Sequence, residues 1–183
     1  SIGLHVRELP ADGKPALVLL HGWPESVDAF DRVMQALHGA VHAVAIGLPG
    51  VGKSHGAPSS ADKRTLAGYV HDAIGALGLQ DATLAGHDVG GMVAYAYLRA
   101  YPGELRKAAI MNTAIPGVEP WPEVVRNPHI WHFAFHAVPE LPESLVAGHQ
   151  AAYFDFFYDA LAADPRGVDA EAREAYAAAY ARI

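Results

Sequence analysis

The segment Gly86-His87-Asp88-Val89-Gly90 sets one carboxylate among small residues where the local pattern changes. Residues 82–85 ahead of it form an apolar, strand-like run, and residues 92–100 behind it carry a helical pattern. A sharp strand-to-helix turn of this kind, a nucleophile elbow, holds its central residue strained and exposed at the tip, and flanking glycines let strand and helix pack closely. Most such tips carry Ser, which needs a base to take its proton. A carboxylate, with a reference pKa near ~3.9, is already ionised at neutral pH. It attacks esters poorly but can displace a leaving group from a saturated carbon. The product is an ester of Asp88, which water can hydrolyse at the enzyme's own carbonyl. The positive end of the helix after Val89 favours the anion. The bland alternative is an Asp that caps that helix.

A second segment bears on the choice. Residues 16–20, Ala-Leu-Val-Leu-Leu, read as a buried strand that runs into His21-Gly22-Trp23-Pro24-Glu25-Ser26. With an elbow of this type, the tetrahedral oxyanion is held by the amide after the nucleophile and by one from the loop after an earlier strand. Those amides would be the N–H groups of Val89 and Trp23. The Trp23 side chain either lines the substrate pocket or simply packs.

These two motifs, in this order and spacing, resemble those of α/β-hydrolases of the epoxide hydrolase and haloalkane or haloacid dehalogenase group. His21-Gly22-Trp23-Pro24 is similar to the His-Gly-x-Pro loop of epoxide hydrolases, where a cis bond often precedes the Pro, and Gly86-His87-Asp88-Val89-Gly90-Gly91 is similar to the elbow of the group. The resemblance runs over nearly the whole chain. It implies a mostly parallel sheet flanked by helices, with a helical lid over the site. It also implies hydrolysis of a small apolar epoxide or halogenated substrate through a covalent Asp88 ester, with no cofactor and no metal.

The elements that must position these residues agree with that architecture. Residues 41–46 form another apolar strand, and 107–111 a further one. Residues 26–37 read as one amphipathic helix with Ser26 as its N-cap, and 62–77 as a second that ends at Gly78. Alternation of strands and helices implies a parallel sheet covered on both faces. From Ile115 onward the character changes: Pro116, Pro120, Pro122, Pro128, Pro139 and Pro142 punctuate a stretch rich in aromatics and His, and alanine-rich helical segments follow to Ile183. The expected division is a core over residues 1–115 and an incomplete lid over 116–183.

In epoxide hydrolases two lid tyrosines donate to the epoxide oxygen as the ring opens, the first often just after a Trp in an aromatic stretch. Here Trp131 is followed by His132. Dehalogenases of the group hold the leaving halide with a His–Trp pair, here in reversed order. Trp131 and His132 are therefore the expected substrate-binding residues, with His132 able to donate to an alkoxide or a halide. Lid packing is the bland reading for Trp131 and Phe133. Tyr153 and Tyr158 sit in an aromatic helical run and read as core rather than acid.

Gly47-Leu48-Pro49-Gly50-Val51-Gly52-Lys53-Ser54 matches the letters of a phosphate-binding loop. Such a loop must open directly into a helix whose N-terminus faces the phosphates. Here His55-Gly56-Ala57-Pro58-Ser59-Ser60 follows, a loop composition with a helix breaker. The hydrolase reading makes this the loop after a strand. Gly47 stands where relatives often carry Asp.

The 183 residues suffice for a sizeable core as one or two domains. No apolar run is long enough to span a bilayer, and the net charge of −7 argues against nucleic acid as partner. Absence of Cys excludes disulfides and thiolate chemistry, no signal peptide is visible, and a cytoplasmic location is expected. Ser1 is not a start Met. Ester hydrolysis needs a His base oriented by an acid, and in this fold order both follow the nucleophile, the His after the final strand. After residue 112 no apolar strand leads to such residues. His129, His132, His136 and His149 all fall in the expected lid, and His87 reads as packing, its side chain turned from the tip. The chain is thus expected to be a fragment that lacks its base and acid. The rival from another class is a binding protein on the same fold without turnover.

Overall fold

The apolar runs become adjacent strands of one sheet in the computed structural model, which describes residues 2–181. The strands are β1 (Val6–Leu9), β2 (Ala16–Leu20), β3 (His42–Ile46), β4 (Thr83–His87) and β5 (Lys107–Met111), in the order β1-β3-β2-β4-β5. β3, β2, β4 and β5 are mutually parallel, and β1 runs antiparallel along β3. Val18, Leu20, Val44, Ile46 and Leu84 are fully buried, as strands covered on both faces require. β1 was not expected. Arg7 and Glu8 are exposed and only its outer residues are half-buried, so this edge strand lacks an apolar signature.

Between strands lie α1 (Asp31–Ala36), α2 (Lys63–Ala76) and α3 (Val89–Ala100). Leu66, Ala67, Val70 and Ile74 of α2 and Val93, Ala94 and Tyr97 of α3 join one core cluster with β2, β3 and β4. Asp62 caps α2 by accepting from the Thr65 N–H at 2.9 Å. After the helix, Gly78 adopts φ +65°. The single helix expected over 26–37 is instead a 3₁₀ turn (Val27–Phe30) followed by α1, with Phe30 at φ −95° and ψ 0° breaking the helical run. Ser26 caps the 3₁₀ turn, its side chain accepting from the Asp28 N–H.

The second part of the chain carries α4 (Trp121–Val124), α5 (Trp131–His136), α6 (Leu141–Val146), α7 (Gln150–Leu161) and α8 (Ala170–Ala179), with 3₁₀ turns at Pro128–Ile130 and Pro165–Gly167. Contacts divide the molecule into units Ser1–Thr113 and Ala114–Ile183. The last two residues of the expected alanine-rich helical tail lie outside the described residues. No helix among the described residues is long and apolar enough to cross a membrane.

No helix starts at Lys53 or Ser54; the next begins at Lys63. Ser54 is buried, donates to the Gly47 carbonyl at 2.9 Å and accepts from the His5 N–H at 2.9 Å, so it closes the loop onto the chain's first residues. A Cβ on Gly47 would sit 2.9 Å from the Ser54 Oγ, so a larger side chain there would require a shift. Lys53 is exposed. Titration of the protein with Mg-ATP should therefore show no binding in a calorimeter. A micromolar affinity lost in Lys53→Ala would contradict this.

Candidate active site

β2 and β4 are parallel neighbours, Leu20 opposite Gly86, so the loops that leave their carboxyl ends meet. The parallel pairing explains why residues far apart in sequence share one site. Asp88 lies at the turn from β4 into α3 with φ +49° and ψ −119°, a conformation that costs a non-glycine residue about 1–3 kcal/mol. Its own N–H donates to the Met111 carbonyl at 3.0 Å, and its carbonyl accepts from the Met92 N–H at 3.1 Å, so strand and helix fix the strained residue.

The Asp88 side chain makes no capping bond to α3, so the capping alternative does not hold. Instead the Trp23 N–H donates to Asp88 Oδ2 at 2.8 Å. Of the two expected oxyanion donors, one is thus already bonded to the carboxylate. The other, Val89, is the first residue of α3, where amides have no intrahelical acceptor. Asp88, Val89 and Trp23 are each partly exposed, and the Trp23–Pro24 bond is cis.

His21, just before this loop, is buried. The Leu48 N–H donates to its Nε2 at 3.1 Å, so the proton sits on Nδ1, which donates to the Gly22 carbonyl at 2.9 Å. Burial holds its pKa below the usual histidine range, against smaller opposing effects of the Gly22 bond, Glu25, Asp28 and Asp88. A histidine kept neutral by the fold stabilises it less as pH falls: below about 6.5 the unfolded chain takes up a proton that the folded one refuses. Urea unfolding should show stability falling from pH 7 to pH 5. His21→Gln should be less stable at pH 7 and depend less on pH over this range. An unchanged slope would contradict the role.

His87 is not simple packing, the role expected from its turned side chain. Its Nδ1 lies 3.2 Å from Glu25 Oε2, and the Glu25 bond, partly offset by burial, raises its pKa. Glu25 and His87 are 62 residues apart, and nothing in either motif marks them as partners. Lys63 was also unmarked. Burial holds its ammonium below the usual lysine range, while the Asp88 charge acts in the opposite sense, placing a cation within electrostatic reach of the carboxylate.

The second unit places the remaining expected residues on α5. His132 is buried, with Phe133 and Phe157 rings 4.8 and 5.0 Å from its own. Trp131 is 42 % exposed and packs against Phe135 and Phe157 at 5.9 and 5.8 Å. Tyr158 is buried, whereas Tyr153 is only partly so and shares a 2.9 Å hydrogen bond with His136 Nε2. Burial and the neighbouring His132 push the His136 pKa down to about 4. Among the described residues, no group of three His, Asp or Glu could hold a metal ion.

A family model described as the alpha/beta hydrolase fold matches residues 15–169. The chain belongs to the α/β-hydrolase family. Within that family it is similar to a soluble epoxide hydrolase from Corynebacterium sp. (strain C12), 34 % identical over 117 residues, 63 % of this chain and 40 % of that protein. It is also similar to a fluoroacetate dehalogenase from Burkholderia sp., 30 % identical over 173 residues, 88 % of this chain and 56 % of that one. The crystal structure of wild-type Cfl2 from Burkholderia cenocepacia superposes with a TM-score of 0.85 at 34 % identity, covering 96 % of this chain and 61 % of that chain. This α/β-hydrolase chain thus spans about two fifths to three fifths of these relatives.

Proposed function

We propose that this α/β-hydrolase opens small apolar epoxides to diols through a covalent ester of Asp88. The observation that carries the reading is the strained, uncapped Asp88 carboxylate with the Trp23 amide 2.8 Å from one oxygen. That bond engages one carboxylate oxygen and leaves the second as the nucleophile. Attack on an epoxide carbon forms the Asp88 C–O bond and breaks the ring C–O bond. The leaving alkoxide takes a proton, for which this reading uses the His132 imidazole, with Trp131 and the Trp23 ring as apolar substrate contacts. Water, passing a proton to a general base, then adds to the ester carbonyl, the Trp23 and Val89 amides stabilise the oxyanion, and collapse returns the Asp88 carboxylate and releases the diol.

Epoxide hydrolases among the relatives support the epoxide. Hydrolytic dehalogenation is the second reading, favoured by the fluoroacetate dehalogenase whose match covers 88 % of the chain. The two differ in the leaving group. The full-length protein is expected to turn styrene oxide into its diol and to release no halide from haloacetates. His132→Ala should lower epoxide turnover by about 10²-fold, as loss of a proton donor does. Halide release without diol formation, or an undiminished His132→Ala rate on epoxide, would contradict the assignment.

A further inference from the structure

We infer that Glu25 and His87 form a clamp that holds the Trp23 amide against Asp88, so that both are positioning residues for ester release. The inference rests on the reading of Asp88 as nucleophile and extends it to residues with no assigned part in the reaction.

Three groups converge on Gly22. Its N–H donates to Glu25 Oε2 at 3.3 Å, and the same oxygen lies 3.2 Å from His87 Nδ1. A Cβ on Gly22 would sit 2.8 Å from His87 Nδ1, 2.9 Å from the Asp88 Cβ and 3.3 Å from Glu25 Oε2. The loop backbone therefore lies directly on the elbow, and only glycine permits that approach. The Gly22 carbonyl is fixed on its other side by buried His21. A turn closed by the Glu25 N–H on the Gly22 carbonyl at 3.1 Å carries Trp23 between the two anchored residues. Glu25 thus ties the loop to the residue next to the nucleophile.

A partly exposed ion pair of this kind contributes little to stability. Its placement matters more. Misplacing a reacting group by about 1 Å can cost about 10²-fold in rate. The oxygen bonded to the Trp23 N–H is not the attacking oxygen during ester formation. During release it becomes the oxyanion, where loss of one donor costs about 10²–10³-fold. A loosened clamp therefore slows release more than formation. The charged and titratable groups around His87 are Glu25 and Asp88, with His21 and Lys63 within reach of the same carboxylates. Charged His87 binds Glu25 more tightly than neutral His87, so the clamp weakens as pH rises through the His87 titration.

Two measurements on the full-length protein test the clamp. With backbone ¹⁵N-labelled tryptophan, and Trp23→Phe to assign the peak, the Trp23 amide resonance should titrate together with His87. Glu25→Gln should remove that titration and lower the His87 pKa. In quenched-flow mass spectrometry of the Asp88 peptide with styrene oxide, Glu25→Gln and His87→Asn should each slow ester release about 10-fold and change formation by less than about 2-fold, so that ester accumulates. A Trp23 amide indifferent to Glu25→Gln, or formation and release slowed alike, overturns the clamp. Absence of any Asp88 ester in the parent protein would instead overturn the nucleophile reading, with the resonance titration still deciding the clamp.

Discussion

Asp88→Ala in the full-length protein is expected to lower epoxide turnover by a factor on the order of 10⁴–10⁶, the loss typical of removing a covalent nucleophile. The fold should survive. The Asp88 side chain caps no helix, and its bond to the Trp23 N–H is at a partly exposed position. The backbone that makes the elbow strained, φ +49° with its N–H on the Met111 carbonyl, is set by β4, β5 and α3 rather than by the carboxylate. Circular dichroism should be unchanged and the melting temperature within a few degrees. Asp88→Asn is the stricter variant because it keeps the volume and one acceptor oxygen for Trp23. It should be as inactive, since a neutral amide does not displace an alkoxide. Substantial turnover by either variant would mean that water attacks the epoxide directly.

The second large effect falls on stability. Gly90→Ala would place a Cβ 2.3 Å from the Leu20 carbonyl oxygen and 2.6 Å from that of His21. Both are backbone atoms at the end of β2, so no side-chain rotation relieves the clash. α3 would have to retreat from the sheet at the point where β2 and β4 present the site. Forcing extra volume into so tight a contact costs about 3 kcal/mol or more. For a protein of this size that lowers the melting temperature by about 6–12 °C. Gly75→Ala is the matched control: its Cβ meets nothing within 4 Å, it lies inside α2, and the gain in helix propensity should stabilise by up to ~1 kcal/mol. Scanning calorimetry of the two variants should move in opposite directions. A Gly90→Ala protein that melts like the parent would contradict the packing of α3 on β2.

How far the sequence revealed this molecule depended on the kind of signal. β2 and β3 were legible because buried parallel strands read as unbroken apolar runs, and β5 because its Ala-Ala-Ile-Met run is apolar although residues 107–110 are exposed. β1 was not, because Arg7 and Glu8 face solvent on an edge strand. The 3₁₀ turn before α1 was hidden because Val27 and Phe30 have a spacing that suits either helix. In the second unit α4, α5 and α6 span only 4–6 residues each, too short for periodicity to define. In the site, Asp88 and Trp23 could be named in advance because each sits in a motif that fixes its backbone. The Glu25–His87 contact could not. It depends on how closely Gly22 approaches the elbow, a property of tertiary packing that no local pattern encodes.

The central claim is that Asp88 becomes esterified during the reaction. A single turnover of excess full-length protein with styrene oxide in ¹⁸O-labelled water, followed by mass spectrometry of the Asp88 peptide and of the diol, tests it most directly. Water that attacks the ester carbonyl leaves heavy oxygen in Asp88, and the first diol carries the unlabelled carboxylate oxygen. Heavy oxygen in the first diol, with none in Asp88, would contradict the account.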